Sequence, residues 1–172
     1  MNDIIKAMLE RRSIKKYKDT PVPMELIDQI CEAGKWAANG KGAQAGMIVA
    51  VTDKETRDKL SRLNAAVMGA ETDPFYGAPV VLVVLADKSV PTYVYDGSLV
   101  MGNLMLAAHS LDVGSCWIHR AKQVFDSEEG KAILASLGVE GEWEGIGNCV
   151  IGYPATEPPE PKPRKENWVY KI

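Results

Sequence analysis

Five cations stand within eight residues, Arg11, Arg12, Lys15, Lys16 and Lys18, with one hydroxyl, Ser13, among them. The 172-residue chain is otherwise acidic, with 20 Lys and Arg against 23 Asp and Glu and a net charge of -3. A guanidinium binds a phosphate in a two-pronged manner, and a hydroxyl fills a remaining acceptor position. A second basic group, Lys162 and Arg164, alternates with prolines towards the other end. Proline fixes the backbone there and holds the two side chains apart. Two such segments can converge on one phosphate. A solvated run of cations at a helix C-terminus, favoured by the helix dipole, is the competing reading of the first segment.

Other chemistries have less support in the residues. Cys31, Cys116 and Cys149 are far apart inside apolar segments and form no zinc or disulfide spacing. Cys116, between Ser and Trp, reads as small core filling. His109 reads as a packed residue of an apolar helix. His119 is better placed for a contact, directly after a strand. The stretch "GKGAQA", residues 40–45, matches G-x-G-x-x-A, but it follows a helix and precedes a strand, the reverse of the dinucleotide fingerprint. Lys41 is followed by Gly, so there is no Walker motif. A net negative charge argues against nucleic-acid binding, and no apolar run is long enough to span a bilayer. The cysteine usage and the lack of a signal peptide predict a cytoplasmic protein.

The elements that must position these residues alternate in type. Apolar spacing predicts helices over residues 3–12, over a second segment opened by Pro23, and over 96–114. Thr52 and Glu55 form a capping-box pattern for a further helix, and "SEEGKAILASLG" reads as a helix stopped by Gly138. Strands are predicted at 47–51, at 78–87, at "SCWIH" and at the end of "GIGNCVIGYP". Helices on both faces of a mixed central sheet follow, an α/β (α+β) three-layer sandwich. Residues 1–152 read as the domain. Residues 153–172 hold five of the ten prolines and read as an extended arm. The arm ends in Trp168, Val169, Tyr170 and Ile172, which a disordered tail has no use for. Phe75 and Tyr76 fit either a surface turn or a substrate mouth.

In their order, "ERRSIKKY", the small-residue loop with Gln44, "NLMLAAHSLDVGSCWI" and "KPRK" resemble the FMN-dependent nitroreductase family, over nearly the whole chain. The resemblance implies a homodimer with FMN at the interface. It implies Arg11 at the phosphate, Arg12 and Ser13 in the same segment, and Lys15 near N1 and O2 of the ring, where a cation offsets the negative charge gained on reduction. It places Ile118, His119 and Arg120 beside the ring, with backbone N–H groups near N5, and Lys162 and Arg164 at the phosphate. Lys16 and Lys18 are left to solvent. The family loop P-S-x-x-N-x-Q-P-W, which comes from the second subunit, is "AANGKGAQAG" here. Gln44 is kept and Asn39 takes the place of the serine. Asn64 is expected to replace a missing polar ring contact from upstream of "GAPVV".

The implied activity is a ping-pong oxidoreductase, taking hydride from NAD(P)H and reducing nitroaromatics, quinones or similar acceptors. The flavin is the reactive centre and no side-chain base or metal is needed. A dehalogenase-like or flavin-fragmenting enzyme of the same fold, and a non-enzymatic module binding an acidic partner, are the alternatives.

Overall fold

The computed structural model describes all 172 residues. The elements are α1 (Asp3–Glu10), α2 (Met24–Lys35), β1 (Gly46–Val51), α3 (Lys54–Met68), β2 (Val80–Asp87), α4 (Tyr93–Ser110), β3 (Gly114–Ile118), α5 (Ala121–Asp126), α6 (Glu128–Ser136) and β4 (Trp143–Gly152). The strands lie in the order β1-β2-β4-β3, and all three pairings are antiparallel. The parallel component expected of a mixed sheet is a single bridge, Ser13 to Ser115.

The apolar run of β2 is buried throughout except at Asp87, because helices cover both faces. On one face, Ile27 and Ile30 of α2 and Met101 and Leu104 of α4 pack on Leu82, Val84, Cys149 and Ile151. On the other, Leu60 of α3, Val124 and Phe125 of α5 and Leu134 of α6 pack on Val81, Val83, Leu85 and Val150. Phe75, fully buried, belongs to this second core and not to a surface turn.

Local signals shift some boundaries. The Asp53 carboxylate caps α3 by accepting from the Thr56 N–H at 2.8 Å, one residue past the expected Thr52. Helix α4 starts three residues earlier than its periodicity predicts. It stops at Ser110, because the N–H groups of Leu111 and Val113 fold back to the Ala108 carbonyl. The short α5 has no distinct sequence pattern and was not predicted.

The N-terminal segment forms an added edge. Ile14 donates its N–H to the Ser115 carbonyl at 2.9 Å, and Lys18 to that of Tyr153 at 2.9 Å. Ala155 donates back to Lys16 at 3.0 Å. Pairing with the end of the chain therefore continues to Ala155, three residues past the expected arm boundary. All residues from Ala155 onwards are exposed.

Gly145 on β4 sets the distance to α5. A Cβ there would lie 2.4 Å from the carbonyl carbon and oxygen of Ala121, which are backbone atoms that no rotamer change can move. We expect Gly145→Ala to destabilise the protein by about 1–3 kcal/mol. Urea unfolding checks this, read as a lowered midpoint with an unchanged slope.

Candidate functional site

The Arg11–Lys18 segment lies along the outer edge of β3, so its residues sit next to the strand that leads into His119 and Arg120. Arg11 follows the last turn of α1. One of its guanidinium nitrogens, Nη1, is buried without a partner. The only other such side-chain atom is the Oγ of Ser115, on the strand paired with this segment. Buried polar groups are nearly always hydrogen-bonded, so each of these orphans marks a place where a polar partner is expected. Arg12 differs. Its Nη1 donates to the carbonyls of Leu9 at 2.7 Å and Arg11 at 2.8 Å, so it satisfies the end of α1. For Arg12 the helix-end reading of a cation holds. Ser13 is exposed, Lys16 and Lys18 face solvent, and the Cys116 thiol nearby is pushed up by burial, so it stays protonated at neutral pH. A cavity of about 160 Å³ opens beside Ser115, lined also by Glu10, Arg12, His109 and Asp112. His109 is thus half-buried at a cavity wall, not in the core.

Lys15 is exposed, with its Nζ 5.8 Å from the centroid of the Tyr76 ring. Tyr76 is held in a left-handed conformation, φ 55°. The cause is Asp73, whose carboxylate accepts from the N–H groups of Phe75 at 2.9 Å and Gly77 at 2.7 Å, on either side of Tyr76. Asp73 is fixed in turn by Ser61 at 2.5 Å and Arg57 at 2.6 Å on α3. Arg57 is buried and also donates to the Ala78 carbonyl at 2.9 Å. No charge pattern in the sequence pairs residues 57 and 73. The turn residues of "DPFYG" were the available signal.

At the end of β3, Ile118 is buried and His119 exposed. Arg120 has φ 74°, the left-handed region that favours glycine. Asn64 on α3 is fully buried. Its Nδ2 donates to the His119 carbonyl at 2.8 Å, and its Oδ1 accepts from Arg120 Nε at 2.9 Å. Each end of the amide is bonded within the chain and the side chain is fully buried, so its partners here are the turn after β3.

The loop with Asn39 and Gln44 lies elsewhere. It leads into β1, the sheet edge opposite β3, three strand spacings or roughly 14 Å away. The Asn39 Oδ1 accepts from the Gln44 N–H at 3.0 Å, and Asp96 on α4 holds the Gly40 N–H at 3.0 Å. Lys162 and Arg164 are exposed on the tail. Within one chain Arg11 and Ser13 lie beside the start of β3, and Ile118, His119 and Arg120 lie at its end, while the loop of Asn39 and Gln44 leads into the opposite sheet edge.

The model of the nitroreductase family matches residues 8–154. The chain belongs to the nitroreductase family. Among curated relatives, it is 34% identical to a putative NADH dehydrogenase/NAD(P)H nitroreductase of Methanothermobacter thermautotrophicus over 119 residues, 67% of this chain and 60% of that one. It is 31% identical to an FMN reductase [NAD(P)H] of Bacillus subtilis over 132 residues, 67% of this chain and 53% of that one. The chain thus spans somewhat over half the length of these two relatives. The solved structure of a Bacteroides fragilis nitroreductase with bound FMN superposes with a TM-score of 0.90 at 25% identity, covering all of both chains. The nitroreductase fold predicted from the motifs is the fold observed.

The Asp73 knot gives a pH prediction. Partial burial works to raise its pKa, but the bonds from Arg57, Ser61, Gly77 and Phe75 outweigh it and hold the carboxyl below its usual value. A depressed carboxylate contributes stability above its unfolded value, about pH 3.9, and that stability is lost as pH falls through the folded value. Asp73→Asn should cost about 2 kcal/mol at neutral pH. Its deficit relative to the parent should shrink below about pH 4. Thermal unfolding of both proteins across pH checks this.

Proposed function

We propose that this nitroreductase-family chain is an FMN-dependent oxidoreductase, using NAD(P)H to reduce nitroaromatic, quinone or similar acceptors at one shared site in turn. The observation that carries the reading is the unpartnered, buried Nη1 of Arg11, in the segment that bridges to β3 through Ser13. A guanidinium is a two-pronged donor to a phosphate, and the exposed Ser13 hydroxyl on the same segment offers a further donor. The FMN carried by the Bacteroides fragilis structure and the FMN reductase name of the Bacillus subtilis relative point the same way.

Bound FMN would supply the hydride-accepting and hydride-donating centre. The chain supplies binding, orientation and charge. Arg11 holds the phosphate, with Ser13 beside it on the same exposed edge. Lys15, exposed beside Tyr76, would bring a positive charge to the ring. The backbone N–H groups of His119 and Arg120 have no acceptor within the chain and are available to the ring. Lys162 and Arg164 on the exposed tail would join Arg11 at the phosphate.

A homodimer completes the site. The about 160 Å³ cavity beside Arg12 is below the 300–1,000 Å³ usual for a ligand pocket. Ile4, Ile5, Met8 and Leu9 leave α1 with no buried residue, and Trp36, Tyr95, Trp168 and Tyr170 are each at least 73% exposed. Apolar groups so placed call for a partner surface. In a two-fold dimer the loop of Asn39 and Gln44, remote from its own Arg11, would serve the partner's flavin.

Arg11→Ala should weaken FMN binding by about ten- to a hundredfold, while riboflavin, which lacks the phosphate, binds variant and parent alike. Fluorescence titration with both ligands tests the reading. An equal loss for riboflavin contradicts it.

Removing residues 157–172, which leaves the Lys16–Ala155 pairing intact, should shift the protein from dimer towards monomer or aggregate and release FMN. Light scattering during size-exclusion chromatography and the flavin-to-protein absorbance ratio read both outcomes. A truncated protein that stays dimeric and fully yellow contradicts the proposed arm.

A further inference from the structure

Two carbonyls at the end of β3 are tied from inside the protein. The Ile118 carbonyl accepts from Asn148 Nδ2 at 3.4 Å, and the His119 carbonyl from Asn64 Nδ2 at 2.8 Å. Asn148 and Asn64 are both buried, at 2% and 0% exposure. In a trans peptide the N–H points opposite to the C=O, and the unit is planar. Fixing the Ile118 carbonyl therefore aims the His119 N–H outwards, and fixing the His119 carbonyl aims the Arg120 N–H outwards. No cis peptide interrupts the chain, and neither N–H finds an acceptor in it.

Arg120 completes the device. At φ 74° its backbone occupies a region that a glycine would take without strain. What an arginine adds is its Nε, which donates to the Asn64 Oδ1 at 2.9 Å. A carboxamide whose oxygen is held by a donor must turn its Nδ2 the other way, here onto the His119 carbonyl. Arg120 thus sets the orientation of the amide that sets the orientation of its own peptide.

We propose that Asn64 is a positioning residue, oriented by Arg120, that aims the Arg120 N–H at the flavin ring without touching the ring itself. This rests on the FMN reading. The functional group is the backbone N–H, and Asn64 acts on it through the His119 carbonyl. Asn148 holds the preceding peptide by a longer bond and makes a smaller contribution. The consequence is electronic: a fixed donor at the ring edge interacts unequally with oxidised and reduced flavin, so losing its direction changes the reduction potential.

The test uses full-length protein loaded with FMN, carrying Asn64→Leu or Asn64→Ala. Leucine keeps the volume, and alanine is the fallback should leucine not fold. Neither adds charge, so a change in potential is not a Coulomb effect of the new side chain. Three quantities are measured: the FMN dissociation constant, the melting temperature, and the two-electron midpoint potential by spectroelectrochemistry. FMN affinity should stay within about threefold of the parent, because Arg11 is untouched. The ratio of affinities for oxidised and reduced FMN should change about tenfold, read as a shift of about 30 mV. A purely structural role would lower the melting temperature and leave the potential at the parent value, and that result overturns the proposal. A parent that binds no FMN removes the flavin reading itself, and this inference with it.

Discussion

The pairing of the N-terminal segment with β3 and with Tyr153–Ala155 is the constraint on which the rest depends. Three backbone hydrogen bonds, from Ile14, Lys18 and Ala155, join the start of the chain to its end and to the edge of the sheet. Ile14 and Tyr17 are buried by this pairing, which keeps the segment from leaving the edge. Because side chains alternate along an extended segment, burying Ile14 turns Ser13 and Lys15 the other way. The same pairing sets Ser13 against Ser115, two residues after Arg11. The cations that looked like a surface run in an acidic chain are thereby fixed beside the strand that ends at His119.

Around this edge several polar side chains are bonded within the chain. Arg12 is consumed by carbonyls at the end of α1, Asn39 by its own loop, Asp96 by Gly40 and Thr92, and Asn64 by the turn after β3. Arg11 Nη1, Ser115 Oγ and the N–H groups of His119 and Arg120 are not consumed. The Arg11 guanidinium suits an anion, and the two N–H groups suit an acceptor on a ring edge. A flavin phosphate and the edge of a flavin ring, in the function proposed above, offer partners for these two kinds of donor.

Much of this was legible in the sequence because the governing signals are local. The run Val80–Ala86 is apolar without alternation, as a strand covered on both faces must be. Ile27, Ile30 and Gly34 recur at helical spacing, and each is buried. Arg11, Ser13 and Lys15 alternate along one edge. What escaped is long-range or conformational. Asn64 and Arg120 are 56 residues apart, and only the fold shows that they bond. The left-handed turn at Arg120 falls on a residue type that gives no hint of it. The capping box at Thr52 had an equally good competitor one position on, Asp53, and the carboxylate took the cap. The aromatic tail reads as an arm with a surface to dock on, but one chain leaves Trp168 and Tyr170 exposed.

The central claim is that the groups left open by the fold are the partners of a single flavin. It is tested most directly by NMR titration of isotopically labelled protein, following the side-chain resonances of Arg11 and the backbone amides of His119 and Arg120. Addition of FMN should move both sets, with saturation at one equivalent per chain. Riboflavin should move the amides of His119 and Arg120 and leave Arg11 in place. FMN binding that disturbs neither set, or a riboflavin titration that moves Arg11 as far as FMN does, would contradict the account.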